Sequence, residues 1–360
     1  MAKIRGKRYE SMTAGAGWYS LTELLSYGRP LSMVVGPRSI GKSVSTAIWC
    51  LTRYLRYGER FLYVRRTKDT LELTAPDWFT SAVQILHDGG WGDIAFDYDK
   101  KHYYIGGDEC GQALPLNAQQ KYKGSDFSRF FWLVFDEFIA FDGERYLGSA
   151  SNPMAEYRAL ISLFQTMDRG IGVPYRNKVR IICLGNAETF YTPIFMGCGA
   201  DRYLRTDSHF VAPKGKPWVV QLARREDSVA SAEFEASWGY QLSDERTRAY
   251  AYENRPKEAT ELFIEKRIVP MTPLAVLTWE GMSMTLCSDP ARGDLYVRRG
   301  DKSGVQHFAL THNDHRPAYE LAQGGNFIIH MMKDNYVKGR LFFETARIKY
   351  AIDNFMKFTV

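Results

Sequence analysis

Met33-Val-Val-Gly36-Pro-Arg38-Ser-Ile-Gly41-Lys42-Ser43 is the stretch that decides the fold. Residues 36–43 fit the spacing G-x-x-x-x-G-K-[ST] of a phosphate-binding loop. The context is the one that spacing requires. Leu31–Val35 reads as a short apolar strand before it. Ser43–Tyr57 reads as a helix after it, with Val44, Ile48, Leu51 and Leu55 at helical spacing. Glycines at both ends let backbone N–H groups wrap phosphate oxygens, and the helix N-terminus adds positive potential there. Gly36, Arg38, Gly41, Lys42, Ser43 and Val44 are therefore the candidate nucleotide-binding set. Lys42 is placed to reach the β- and γ-phosphates of ATP, and the Ser43 hydroxyl to ligate Mg²⁺.

Working outward, Arg60–Val64 is a second strand, and Leu71–Asp88 a helix expected to break near Pro76. Asp93–Ile105, alternating aromatic and charged residues, is expected to be a hairpin. Phe130–Phe135 is a fully apolar strand that runs into Asp136-Glu137. A buried strand ending in two carboxylates needs a reason, because unpaired buried charge is costly. In that setting Asp136 holds Mg²⁺, and Glu137 orients and deprotonates an attacking water. Met154–Asp168 is a helix with Tyr157, Leu160, Ile161 and Phe164 on one face. Val179–Leu184 is a further buried strand ending in Gly185-Asn186. Ligands of parallel sheets sit at the carboxyl ends of the strands, so Asn186 faces the γ-phosphate and is read as a hydrolysis sensor. Strands alternating with helices imply an α/β fold with a parallel sheet and helices on both faces.

Charge and composition restrict the function without deciding it. Forty-seven basic against 41 acidic residues give a net charge of +6, which permits a polyanionic partner and does not require one. No apolar run approaches the ~20 residues of a membrane-spanning helix. The basic start, Met1 to Arg8, lacks the apolar core of a secretory signal. Five scattered cysteines form neither a zinc pattern nor a disulfide framework, so a reducing compartment is expected.

GTPases and nucleotide kinases commonly lack a glutamate directly after the magnesium aspartate. The Asp136-Glu137 pair resembles the additional-strand, catalytic-glutamate ATPases, in which a strand lies between the phosphate-loop strand and the acidic strand. Four segments in order resemble more closely the large terminase, or DNA-packaging ATPase, of tailed bacteriophages. They are residues 33–43, Phe61-Leu-Tyr-Val-Arg-Arg-Thr67, Trp132-Leu-Val-Phe-Asp-Glu-Phe138 and Cys183-Leu-Gly-Asn-Ala187. The short chain and the Gly-Asn-Ala triplet are most similar to the compact motors of small protein-primed podoviruses. The resemblance covers residues 15–205 well and the C-terminal third only by position and rough pattern.

That resemblance implies a homomeric ring, often a pentamer, docked on a capsid portal or connector in the host cytoplasm and driving double-stranded DNA into a procapsid. For relatives of the small type it also raises contact with a structural RNA. Ring motors complete each site with a basic residue from the neighbouring subunit. Arg169, Lys123 and Arg158 are the three candidates for that role here, and Arg38 is a phosphate contact in cis. Trp18, Tyr19 and the segment Leu21–Tyr27 are candidates to cover the adenine, or else core. The alternatives to a packaging motor are another DNA- or RNA-translocating ATPase, such as a helicase or cellular DNA pump, and a nucleotide-gated binding module without sustained turnover.

Three regions are expected: an ATPase domain over residues 1–212, a helical linker or lid over 213–265, and a small α+β domain over 266–360. The first boundary rests on the breaker-rich Pro213-Lys-Gly-Lys-Pro217. The last region carries strands at Leu274–Leu277, Met282–Cys287, Asp294–Arg298 and His307–Leu310 and a basic helix at Thr345–Phe358. By resemblance it is a reduced RNase H-like nuclease domain. Its acids, Glu280, Asp289, Asp314 and Asp353, form no convincing triad by spacing, so no cutting activity is expected. Basic and aromatic residues interleaved over 331–360 suggest nucleic-acid binding, or equally an amphipathic terminal helix with a charged outer face.

Overall fold

The computed structural model describes residues 9–15, 17–92, 94–122, 125–127, 129–141, 144–148, 152–168, 178–204, 208–224, 237–245, 247–248, 263–322 and 325–359. The chain divides into two compact units, residues 1–146 with 156–257, and residues 147–155 with 258–360.

The first unit is built on nine strands: β1 (Leu31–Val35), β2 (Arg60–Arg65), β3 (Phe96–Asp99), β4 (His102–Ile105), β5 (Asp108–Pro115), β6 (Phe130–Asp136), β7 (Arg180–Gly185), β8 (Phe210–Val211) and β9 (Trp218–Leu222). They form one sheet in the order β3-β4-β5-β2-β6-β7-β1-β9-β8. From β5 to β9 the pairs are parallel, and antiparallel strands close both edges. The helices are α1 (Tyr9–Gly15), α2 (Thr22–Ser26), α3 (Lys42–Tyr57), α4 (Lys68–Leu86), α5 (Ala155–Asp168), α6 (Pro193–Cys198) and α7 (Trp238–Leu242). Every residue of β1 and of β9 is buried, as expected of parallel strands covered on both faces. Val34, Tyr63, Val134 and Ile182 pack on one face, with Ile48 and Leu51 of α3 and Leu71 and Ala75 of α4.

Three differences from the sequence reading have physical causes. The helix around Pro76 does not break: α4 is continuous from Lys68 to Leu86. The missing N–H frees only the carbonyl of Glu72, an exposed residue where water can pair with it. Meanwhile Leu71, Ala75, Trp78, Phe79, Ala82 and Leu86 bury one face along the whole helix. The expected hairpin is β3–β4, but β5 extends it and docks parallel to β2. Its Asp108-Glu109 and Gly111 disguise it as a loop. The boundary at 213 is also corrected. Pro213–Pro217 is the turn between β8 and β9, and β9 lies directly beside β1. The ATPase sheet therefore continues to Leu222. Of the expected helical linker only α7 and a few flanking residues are described. Residues 225–236 and 249–262 lie outside the described residues.

The second unit carries β10 (Thr272–Trp279), β11 (Met282–Asp289), β12 (Asp294–Arg299), β13 (Gln306–Ala309), β14 (Glu320–Leu321) and β15 (Leu341–Phe343), with helices α8 (Phe327–Val337) and α9 (Ala346–Thr359). The sheet order is β14-β13-β10-β11-β12-β15. β10 to β12 form an antiparallel meander, β13 runs parallel to β10, and β15 runs parallel to β12. The four expected strands and the terminal helix are present. β14, β15 and α8 are additions to the sequence reading. No helix among the described residues is long and apolar enough to cross a membrane.

Candidate active site

The nucleotide site lies at the carboxyl ends of β1, β6, β7 and β2, which are brought together by parallel register. β1 pairs residue by residue with β7, Val35 opposite Gly185. β7 pairs with β6, Leu184 opposite Asp136. β6 pairs with β2, Phe135 opposite Val64. The turn after β1 is tight. Gly41 takes φ +88° as the N-cap of α3, and a Cβ there would come within 2.8 Å of the Trp18 ring. Glycine meets both demands, conformational and steric. Trp18, half-buried, thus lies against the phosphate loop. Tyr19 is strapped to it: its N–H donates to Ile40 O at 2.9 Å, and Ser45 Oγ donates to Tyr19 O at 2.5 Å. Leu21 and Leu24 are core, and Tyr27 stacks on Phe210, so the rest of that segment is structural.

Lys42 points into the loop. Its Nζ donates to Gly36 O at 2.8 Å, Pro37 O at 2.5 Å and Asn186 Oδ1 at 3.1 Å. Burial pushes the ammonium down to about 7, against the opposing pull of Asp136 and with the help of Arg38. A phosphate between these groups supplies the counter-charge the pocket lacks. Ser43 Oγ donates to Asp136 Oδ1 at 3.2 Å. Adjacent ligands of an octahedral Mg²⁺ at ~2.0–2.1 Å lie about 3 Å apart, so these two oxygens fit neighbouring positions. Asp136 is buried and also accepts from Tyr63 OH at 3.1 Å, with Arg65 Nη1 at 3.5 Å. Burial raises its pKa, and Arg65 opposes that rise. A buried carboxylate with a hydroxyl neighbour is a suitable donor set for a hard cation.

Glu137 follows in the left-handed region, φ +56°. Its half-exposed carboxylate pairs with Arg65 Nη2. Asn186, directly after β7, accepts from Lys42 Nζ and so lies beside the phosphate loop. Arg38 lies over the Phe141 ring, 5.0 Å from its centroid. Val44 sits in the first turn of α3. The structure therefore gathers Gly36, Arg38, Gly41, Lys42, Ser43, Val44, Asp136, Glu137 and Asn186 in one place. Arg158 is exposed on α5. Lys123 and Arg169 lie outside the described residues.

Sequence reasoning quoted Arg65 and Arg66 only as part of a resemblance and assigned them no role. The signal was present: an apolar strand closes on Arg65-Arg66, and a second apolar strand closes on Asp136-Glu137, so paired arginines stand ready for paired acids. Arg66 is 3% exposed and forks onto Glu156.

In the second unit the expected acids are engaged separately. Asp314 accepts from the backbone N–H groups of Glu280 and Gly281 at 2.7 and 2.8 Å, fixing the β10–β11 turn. Asp289 accepts from Arg267 at 2.9 Å, and Asp353 from Lys349 at 2.6 Å. Among the described residues no three His, Cys, Asp or Glu side chains cluster as metal ligands do. Three of the terminal basic residues pair locally, Lys338 with Asp334, Arg340 with Asp294 and Lys349 with Asp353. Phe343 and Phe355 are buried in the core and Phe342 lies under Arg267, rather than forming a stacking face.

β7 separates the phosphate-loop strand from the acidic strand. With Glu137 directly after Asp136, the fold and site define a P-loop ATPase of the additional-strand, catalytic-glutamate class. The chain belongs to the podovirus DNA encapsidation protein (Gp16) family, whose model matches residues 14–360. It is 26% identical over 341 residues to the DNA packaging protein of Bacillus phage phi29, covering 92% of this chain and 95% of that protein. The fold matches a chain of the bacteriophage phi29 viral genome packaging motor assembly with TM-score 0.69 and 25% identity, covering 94% of this chain and 99% of that one. It also matches the N-terminal domain of the phi29 DNA packaging ATPase with TM-score 0.50 and 29% identity, over 59% of this chain and 97% of that one.

Proposed function

We propose that this protein hydrolyses ATP to drive double-stranded viral DNA into a procapsid, acting as a homomeric ring on the portal. One observation carries the enzymatic half. Lys42, Ser43, Asp136, Glu137 and Asn186, separated by up to 144 residues in sequence, converge at the carboxyl ends of adjacent parallel strands. Family membership and the packaging relatives support the rest.

In this reading Gly36, Gly41 and the N-terminus of α3 cradle the phosphates. Lys42 exchanges its loop carbonyls for β- and γ-phosphate oxygens. Ser43 and Asp136 hold Mg²⁺, which neutralises phosphate charge when bound. Arg38 leaves the Phe141 ring to meet phosphate. Glu137, released from Arg65, accepts the proton of the attacking water. Asn186, already bonded to Lys42, reports loss of the γ-phosphate. Arg169, Lys123 or Arg158 of a neighbouring copy completes the charge balance in trans. A pentameric ring, a structural RNA contact and a cytoplasmic site of action on the procapsid belong to the same proposal. The second unit serves binding rather than cutting.

The test is steady-state ATP turnover with and without double-stranded DNA and empty procapsids, beside Glu137→Gln. Turnover stimulated by both, and lost in the variant, is the expected result. Nucleotide binding without turnover in the assembled protein would sink the motor reading and leave a nucleotide-gated binding protein. Stimulation by DNA alone would point instead to a general translocase.

A further inference from the structure

Glu137 has the backbone conformation that needs most support in the site, and Arg66 supplies that support. A non-glycine residue at φ +56° persists only where its surroundings hold it. Arg66 Nη2 donates to Glu137 O at 3.1 Å and Phe138 O at 3.0 Å, so one nitrogen ties the two carbonyls after the turn. The same guanidinium binds the fully buried Glu156 through Nε at 2.8 Å and Nη2 at 3.2 Å. Its Nη1 donates to Glu144 Oε2 at 3.1 Å. The Tyr146 ring lies against it, 5.1 Å from the centroid, while the Tyr146 hydroxyl accepts from Ala140 N at 3.1 Å. Glu144 also accepts from Phe141 N at 3.2 Å.

These contacts join three elements that are separate in sequence. The end of β2 supplies the cation. Glu137 and Phe138 supply two carbonyls, Glu144 a carboxylate and Tyr146 a ring. The first turn of α5 supplies the second carboxylate. All the donors come from one planar fork with five N–H groups, a pattern a lysine cannot reproduce.

We propose that Arg66 is the positioning residue of the catalytic glutamate, and that it ties residues 137–141 and 144–146 and the start of α5 into one body. It touches no reacting atom; it sets where Glu137 stands. The same body carries Phe141, on which Arg38 rests, and α5 leads directly to Arg169. The proposal rests on Glu137 being the catalytic base, and its test keeps the two failures apart.

The test is Arg66→Lys in the full chain, with thermal unfolding to establish that it folds. Affinity is read with a non-hydrolysable ATP analogue, and chemistry by single-turnover hydrolysis of labelled ATP. The expected result is affinity within about twofold of wild type and hydrolysis lower by about tenfold or more. In a Glu137→Gln background the same substitution should change the residual rate by less than about twofold, because residues acting through one another are not additive. Wild-type hydrolysis by folded Arg66→Lys overturns the proposal. So does a parallel loss of affinity and rate, or the full loss repeated in the Glu137→Gln background. If Arg66→Lys does not fold, Tyr146→Leu removes one wall of the clamp from a half-buried position. It should show the same pattern, with a loss of about threefold, and wild-type hydrolysis there overturns the proposal equally. Undiminished hydrolysis by Glu137→Gln alone overturns the assignment of Glu137, and with it this role of Arg66.

Discussion

The buried ammonium of Lys42 predicts that nucleotide binding takes up a proton. In the nucleotide-free protein its pKa falls from the ordinary 10.5 to about 7, chiefly through burial. Bound phosphates restore a value near the ordinary one, because they supply the opposite charge at contact distance. Binding above pH 7 must then protonate the amine, and the apparent dissociation constant scales as 1 + 10^(pH−7). Between pH 7.5 and 9.0, where ATP itself no longer titrates, that factor grows by about 20-fold, or about 1.8 kcal/mol. At pH 7.5 about 0.8 proton is taken up per nucleotide. Folding has the opposite sign. The unfolded chain holds the Lys42 proton up to about 10.5 and the folded chain only to about 7. This group therefore stabilises the nucleotide-free fold progressively as pH rises through that window. Titration calorimetry of a non-hydrolysable ATP analogue, in buffers of different ionisation enthalpy, measures affinity and proton uptake together. Lys42→Met should bind more weakly at pH 7.5 and lose both the slope and the proton. A pH-independent affinity from 7.5 to 9.0 with no proton uptake would refute the argument.

Arg65→Ala removes the cation that opposes the upward shift of the Asp136 pKa. The acid limb of Mg²⁺-dependent ATP turnover should move to higher pH, and a pH–rate profile superimposable on wild type would contradict this. Glu156→Ala leaves the guanidinium of Arg66 buried without its main partner and should cost about 3–5 kcal/mol in urea unfolding. Glu144→Ala, whose side chain is 35% exposed in the same network, should cost about 1 kcal/mol or less, and equal losses would refute the difference in burial as its cause.

The phosphate loop, the acidic strand and the Gly-Asn turn were legible because each writes its chemistry within a few consecutive residues. Their convergence was legible too, since all three follow apolar strands, and parallel strands align their carboxyl ends. What escaped depended on pairing between distant segments. β5 carries Asp108, Glu109 and Gly111 and reads as a loop until β2 is beside it. β9 is apolar, but it follows Pro213–Pro217, and proline and glycine mark a hairpin turn and a domain boundary with the same letters.

The arginines escaped for a related reason. Arg65 and Arg66 are 71 or more residues from the groups they hold in the site, and only the β2–β6 register places them there. That register also separates their tasks. Successive residues of a strand point to opposite faces. Arg65, the last residue of β2, is directed to the carboxylates of Asp136 and Glu137, and Arg66, the residue after it, to the carbonyls of Glu137 and Phe138 and to α5. One dipeptide at the close of β2 thus holds the side chain of Glu137 from one side and its backbone from the other.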